Sequence, residues 1–388
     1  MDLVSGLPQV SQQARRVDGT RGSRHPQHES SIPDHREKVS SRAVDDLTER
    51  FVSPQAGPTD YEAENILRPK KLTDFVGQVG LRENLGLFVQ AARERSEPLD
   101  HVLFAGPPGL GKTTLAGIIA QEMGTQMRVT SGPVLDKPSD LAGLLTSLQT
   151  GDVLFIDEIH RLPRTVEEYL YPAMEDFAID ILLENGPSAR SVHLPLPHFT
   201  LVGATTRTGM LTGPLRDRFG LTFRLDPYSP DEVRTIARRT ASLLGFQLSD
   251  EAAALLGRRC RGTPRVVNRV VRRCRDVAQV ARKDGIDEAI AARTLEILGL
   301  DELGLDEMDR RILRTILERF DGGPVGLSTL GAALGEETDT IEEVYEPYLI
   351  QLGMLQRTPR GRVTTANACR HLGVAPRLSG NDLFSEPA

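Results

Sequence analysis

An α/β fold with a mostly parallel sheet, followed by a small helical domain and a winged-helix domain, is what the sequence predicts, and three observations predict it. Short apolar runs at His101 to Ala105, Val153 to Ile156 and Phe199 to Ala204 alternate with helically patterned segments such as Leu81 to Ala92 and Thr114 to Met123. That rhythm builds a parallel sheet covered on both faces. The stretch from Pro230 to Leu298 is helically patterned and carries no strand signal. Beyond Asp306, Ile312, Leu313, Ile316, Leu317 and Phe320 mark one amphipathic helix, and Ile341, Val344, Tyr345, Tyr348 and Leu349 mark another. A hairpin with a basic tip follows over residues 355–363.

Taken in order, residues 1–56 are rich in Ser, Gln, Arg, Pro and His and cannot bury enough apolar surface to order themselves, so they read as a disordered extension. His25, His28 and His35 fall in that tract and are expected in solvent. The parallel-sheet domain is expected over 57–228. It contains an inserted hairpin at about 177–196, because two apolar runs flank the turn signal Glu184-Asn185-Gly186-Pro187. Asp226-Pro227 and Ser229-Pro230 break the pattern, which opens the helical domain at 229–300. The winged helix takes 301–376, and a flexible tail takes 377–388.

At 388 residues the chain has room for two or three cores. Its three cysteines, Cys260, Cys274 and Cys369, show neither a CxxC nor a Cys/His spacing, which argues against a disulfide framework or structural zinc. No apolar run is long enough for a membrane span and no secretory signal is present, so the chain is expected in the cytoplasm. The formal net charge of −7 does not advertise nucleic-acid binding, which must come from local basic clusters.

Gly106-Pro107-Pro108-Gly109-Leu110-Gly111-Lys112-Thr113 matches GxxxxGK[ST] between an apolar strand and a helix, the context a phosphate loop needs. Gly106, Gly109 and Gly111 allow backbone N–H groups to close on the β- and γ-phosphates, and Lys112 adds a point charge. Thr113 is expected to ligate Mg²⁺ and Thr114 to reach the α-phosphate. The strand Val153 to Ile156 ends in Asp157-Glu158. A carboxylate pair at a strand end can be a helix cap. After a phosphate loop it fits a metal holder (Asp157, through water) and a water-polarising base (Glu158). Thr206, at the carboxyl end of the strand Phe199 to Ala204, stands where such sheets bind ligands and is placed to sense the γ-phosphate or hold the attacking water. Arg216 and Arg218 each offer a planar fork for phosphate, and one of them is suited to reach a neighbouring subunit's nucleotide in a ring or filament. Arg265, in Gly262-Thr263-Pro264-Arg265, is suited to reach the γ-phosphate from the helical domain.

Together these residues look like the AAA+ ATPase module. Further blocks, Leu67-Arg68-Pro69-Lys70, Phe75-Val76-Gly77-Gln78, Thr130-Ser131-Gly132-Pro133, Asp157-Glu158-Ile159-His160-Arg161, Tyr171 to Asp176, Gly322 to Gly326 and Arg357 to Arg362, resemble the RuvB family of Holliday junction branch-migration motors over about residues 60–375. The resemblance implies an ATP- and Mg²⁺-dependent hexameric ring around double-stranded DNA. It also implies the junction-binding partner RuvA, and the nuclease RuvC at resolution. Carried over by position, Leu67, Arg68, Tyr228 and Arg265, with Glu175, Asp176 and Phe177, frame the adenine and phosphates. Phe177 stands where the family is expected to have tyrosine. The wing arginines Arg357, Arg360 and Arg362 meet the DNA backbone, and the hairpin residues Ile179, Ile181, Val192 and Leu194 dock on RuvA. Two other AAA+ classes share the ATPase core: a clamp-loader-type switch, which uses a collar domain, and a protein remodeller, which uses an aromatic pore loop. The basic wing disfavours the second.

Overall fold

The computed structural model describes residues 66–182 and 191–374. The expected extension at 1–56, the tail at 377–388 and the hairpin turn at Glu184 to Pro187 lie outside the described residues. The first helix, α1 (Val79–Arg95), buries Leu81, Leu85, Val89 and Ala92, one face of a 3.6-residue period. Strand β1 (Val102–Ala105) follows, buried throughout, and the chain then turns into α2 (Lys112–Met123). Next come β2 (Met127–Ser131), α3 (Pro138–Thr146), β3 (Val153–Asp157) and α4 (Arg164–Glu175). The hairpin strands β4 (Ala178–Leu182) and β5 (Ser191–Pro195) precede β6 (Thr200–Thr205), α5 (Gly213–Asp217) and β7 (Leu221–Arg224).

The five-stranded sheet has the order β2-β3-β6-β1-β7 and is parallel at every pairing. Its central strands are apolar at consecutive positions because both faces are covered. Phe104, Phe155 and Val202 pack toward Leu115, Ile118 and Ile119, whereas Leu103, Leu154 and Leu201 pack toward Val166 and Leu170. The sequence runs located β1, β3 and β6. The edge strands β2 and β7 escaped them, since β2 has no fully buried residue and β7 alternates half-buried Leu221 and Phe223 with exposed Thr222 and Arg224.

The second domain opens at α6 (Pro230–Leu243), capped by a reciprocal Ser229/Glu232 box that satisfies two end N–H groups. It continues through β8 (Gln247–Leu248), α7 (Asp250–Arg259), α8 (Pro264–Val280), β9 (Gly285–Ile286) and α9 (Glu288–Ile297). The expectation of helices alone needs one correction: β8 and β9 form a two-residue parallel pair, too short to leave a periodic signal.

The third domain holds α10 (Glu307–Arg319), α11 (Leu327–Leu334), α12 over residues 338–351, β10 (Leu355–Thr358), β11 (Gly361–Thr364) and α13 (Ala366–Leu372). Within α12 the segment Ile341–Tyr345 winds as a π-helix. Helices on a core of Ile312, Leu313, Ile316, Leu330 and Leu349, followed by an antiparallel hairpin, make a winged helix. This head is tied to the helical domain by Arg261. Its buried guanidinium donates to Asp309 and to the Gly304 carbonyl (2.7 Å), lies 3.3 Å from Asp306 and stacks 5.0 Å over the Tyr348 ring.

Candidate nucleotide site

The strand order decides where the site lies. Because β6 sits between β1 and β3, the phosphate loop after β1, the carboxylates ending β3 and the threonines ending β6 share one edge of the sheet. The start of the loop is fixed to that edge by the Gly106 N–H, which donates to the Thr205 carbonyl at 3.1 Å. Gly109 and Gly111 have φ of +79° and +105°, a region that side chains rarely adopt. At Gly109 a Cβ would also come within 2.9 Å of Thr263 and 3.1 Å of Arg265, so the loop packs directly on the start of α8. The Arg265 N–H donates to the Gly109 carbonyl at 3.3 Å.

Lys112 opens α2 and is buried. Its Nζ donates to the carbonyls of Gly106 (2.7 Å) and Pro107 (2.9 Å). Burial pulls its pKa down to about 8, against the opposing pull of the Asp157 carboxylate. Asp157 Oδ1 accepts the Glu158 N–H at 3.0 Å, and Glu158 pairs with Arg161 at 3.0 Å. Thr113, at the first turn of α2, and Asp157 are both half-buried oxygen donors. A hydroxyl and a carboxylate suit a hard cation such as Mg²⁺ that keeps most of its ligands as water and phosphate. Among the described residues no cluster of three or more His, Cys, Asp or Glu side chains forms a metal site of its own.

A cleft beside the loop is lined by Leu67, Arg68, Phe75, Gly111, Thr114, Tyr228, Arg239 and Pro264. Five residues expected around the nucleotide, Leu67, Arg68, Gly111, Thr114 and Tyr228, therefore converge there. Tyr228 is fixed by donating to the Leu110 carbonyl at 3.0 Å, and burial pushes its phenol upward in pKa. Arg239 donates to the Leu67 carbonyl at 2.6 Å, a wall residue that sequence reasoning missed. Arg265 lines a second cleft on the other side of the loop, with Pro107, Pro108, Gly109 and, from the head, Glu343 and Tyr348.

The loop, the lid and the head thus meet in the order of three known domain families. Residues 67–225 match the Holliday junction DNA helicase RuvB P-loop domain, 228–301 the RuvB AAA lid domain and 302–373 the RuvB C-terminal winged helix domain. A Prosthecochloris aestuarii protein named Holliday junction branch migration complex subunit RuvB is 59% identical over 335 residues, covering 86% of this chain and 98% of its own. The chain belongs to the RuvB family. A Rubrobacter xylanophilus protein of the same name is 57% identical over 341 residues, covering 87% of this chain and 96% of its own. The solved Thermotoga maritima RuvB Holliday junction branch migration motor superposes with a TM-score of 0.74 at 52% identity, over 80% of this chain and 99% of that one. The chain is accordingly an AAA+ ATPase with a nucleotide-binding P-loop domain.

Several residues that the resemblance assigns to the nucleotide lie outside these two clefts. Glu175, Asp176 and Phe177 line neither cleft of their own chain. Glu175 instead pairs with Arg218 at 3.1 Å, and Phe177 packs against His101, His198 and Phe199. Arg218 is further held by the Pro214 carbonyl (2.7 Å) and lies 4.4 Å over the Tyr171 ring, whereas Arg216 is 55% exposed and only 3.8 Å from its neighbour Asp217.

On the hairpin, Ile179 is buried in the chain's own core, which corrects its assignment to a docking surface. Leu194, directly opposite in the β4/β5 register, packs on the same core. Val192 is half-buried, and the side chain of Ile181 lies outside the described residues. On the wing, Arg362 binds Glu346 (2.6 Å) with only 15% exposure, and Arg357 binds the same fully buried Glu346 (2.7 Å). Arg362 is thus largely turned inward onto that carboxylate, whereas Arg357 pairs with it while keeping 46% of its side chain exposed. Arg360, at the exposed tip, has no acidic partner among the described residues.

Two further residues at the site, His160 and Arg207, were assigned no role from the sequence. His160 Nδ1 lies 3.1 Å from Thr205 Oγ1, which also accepts the Arg207 N–H at 3.0 Å, so the turn after β3 is pinned to the end of β6. Burial lowers the His160 pKa, which favours the neutral ring. Arg207 makes ion pairs with Glu342 and Glu343, both on α12 of the head. Their signal was available, since Asp339, Glu342, Glu343 and Glu346 put four acids on a helix that would face DNA in a conventional winged helix.

Proposed function

We propose that the chain is the ATP-driven motor that moves Holliday junctions, assembling as a ring on double-stranded DNA and working with the junction-binding protein RuvA, and with the nuclease RuvC at resolution. The observation that carries this reading is the convergence of Lys112, Asp157, Glu158 and Thr206 on one sheet edge, in a chain whose last domain presents the basic wing tip Arg360. Lys112 exchanges its two loop carbonyls for phosphate oxygens, gaining a charge-assisted partner for a buried ammonium. Thr113, and Asp157 through water, would hold Mg²⁺, which would supply positive charge beside the phosphates. Glu158 orients the attacking water and Thr206 faces the γ-phosphate. Arg265 reports the nucleotide to the lid through its backbone bond to Gly109.

Arg216 and Arg218 act on the nucleotide of a neighbouring protomer, and Glu175, Asp176 and Phe177 belong with them to that neighbour-facing surface. This accounts for their distance from the cleft of their own chain. Contacts of the wing with phosphates are sequence-tolerant, as work at arbitrary loci requires, and weaken with salt. Val192 and Ile181, toward the far end of the hairpin, are the positions left to meet RuvA.

The test is a synthetic four-way junction incubated with ATP and Mg²⁺, with and without RuvA. Strand-separated products that vanish for Lys112→Ala are expected; a chain that binds and hydrolyses ATP yet releases no products overturns the reading. Mixing Lys112→Ala protein with Arg216→Ala or Arg218→Ala protein restores partial hydrolysis for whichever arginine acts in trans.

A further inference from the structure

The contact between Thr206-Arg207 and the head is chemically odd for a DNA-binding domain. The helix that would enter the major groove in a conventional winged helix carries carboxylates, which DNA phosphates repel. Here those carboxylates face the ATPase domain. Glu343 divides its two oxygens: Oε1 lies 2.8 Å from Arg207 Nε, and Oε2 accepts from Thr206 Oγ1 at 3.3 Å. Glu342 lies 2.8 Å and Asp339 3.6 Å from Arg207 Nη2, and the Glu342 contact lacks the alignment of a hydrogen bond. The cluster is partly wet, with side-chain exposures of 25% for Arg207, 26% for Glu342 and 22% for Glu343. Glu343 also lines the cleft that holds Arg265 and the phosphate loop, and its charge is felt at Lys112.

We propose that Arg207 is a positioning residue that clamps the acidic turn of the head against Thr206, so that a nucleoside triphosphate, whose γ-phosphate competes with the Glu343 carboxylate for Thr206, releases the head, while a diphosphate leaves it clamped. The competition follows from two facts. Thr206 has one hydroxyl proton and cannot donate it to a carboxylate and a phosphate together. Two anions in the same partly desolvated corner also repel each other. The head carries the wing tip Arg360, so the clamp links nucleotide state to the placement of the DNA-binding surface. In the clamped form α12 is unavailable to DNA, and the wing alone is presented.

This inference rests on the reading of Thr206 as the γ-phosphate neighbour, and the test separates the two. Affinities for ADP and for a non-hydrolysable ATP analogue, both with Mg²⁺, are measured for the full chain, for Glu343→Gln and for Arg207→Gln. Removing the competitor tightens the triphosphate by roughly fivefold, the scale of a partly exposed ion pair, and leaves the diphosphate within about twofold. A donor and acceptor dye placed on the ATPase domain and the head then report separation with the triphosphate analogue in the unsubstituted chain, and separation with either nucleotide in Arg207→Gln. If Glu343→Gln shifts both nucleotides equally or neither, or if the dyes do not separate with the triphosphate, the clamp is wrong. If the unsubstituted chain binds neither nucleotide, the nucleotide-site reading fails first and the clamp falls with it.

Discussion

Arg261 and Arg207 both reach into the winged-helix head, one from the lid and one from the ATPase domain, and their surroundings differ in the quantity that sets the strength of an ion pair. Arg261 has a side-chain exposure of 4% and partners at 9% and 0%, and it carries a Tyr348 ring on its face. Arg207 is 25% exposed, and its closest partners, Glu342 and Glu343, remain in reach of water. Removing one member of a buried pair strands a desolvated charge and costs about 3–5 kcal/mol. A partly exposed pair is worth about 0–1 kcal/mol, although several charges acting together raise that. The head is therefore attached through one buried joint and one partly exposed joint, and only the second is weak enough for the proposed competition to open it.

The largest expected effect breaks the permanent joint. Asp309→Ala leaves Arg261 buried beside Asp306 alone and should destabilise the chain by about 3–5 kcal/mol in urea unfolding, against no more than about 1 kcal/mol for Glu343→Gln. Burial pushes the Asp309 carboxyl upward in pKa even beside the guanidinium, a sign that desolvation outweighs the attraction of the pair. Replacing both partners, as Arg261→Met with Asp309→Leu, should therefore cost less than Asp309→Ala alone. Equal costs at the two joints would erase the distinction between them.

Salt gives the next effect. Raising the ionic strength from about 0.05 to 0.5 M shortens the screening length to a few ångströms, which weakens exposed charge pairs and spares buried ones. Dyes spanning the ATPase domain and the head should separate as salt rises, and dyes spanning the lid and the head should not. Parallel movement of both pairs would mean that the lid joint is as wet as the other.

The contrast between buried and exposed positions also explains what the sequence revealed. Strands β1, β3 and β6 were legible because strands buried on both faces read as unbroken apolar runs, while β2 and β7, each with one wet side, did not. The phosphate loop and Asp157-Glu158 were legible because their chemistry is written in consecutive residues. Contacts that join distant segments left weaker marks: Arg207 lies far in sequence from Glu343, as does Arg261 from Asp309, and nothing local to either arginine names its carboxylate. The wing shows the same limit. The sequence pointed to a hairpin with a basic tip, and Arg357 and Arg362 stand opposite each other across β10 and β11, but Glu346, which occupies both, comes from the preceding helix.

The smallest effect concerns the proton on Lys112. Its pKa near 8 means that the free chain at pH 8 carries the ammonium in about half of its molecules, while nucleotide phosphates stabilise the charged form and raise that pKa. Binding at pH 8 should therefore take up about half a proton per site, with uptake fading as pH falls toward 6, where the lysine is already charged. Glu343 raises the Lys112 pKa, so Glu343→Gln should lower it slightly in the free chain and enlarge the uptake at pH 8. Calorimetry of nucleotide binding in two buffers of different ionisation enthalpy measures the proton count directly. An uptake unchanged by Glu343→Gln would mean that the Glu343 charge does not reach the Lys112 ammonium.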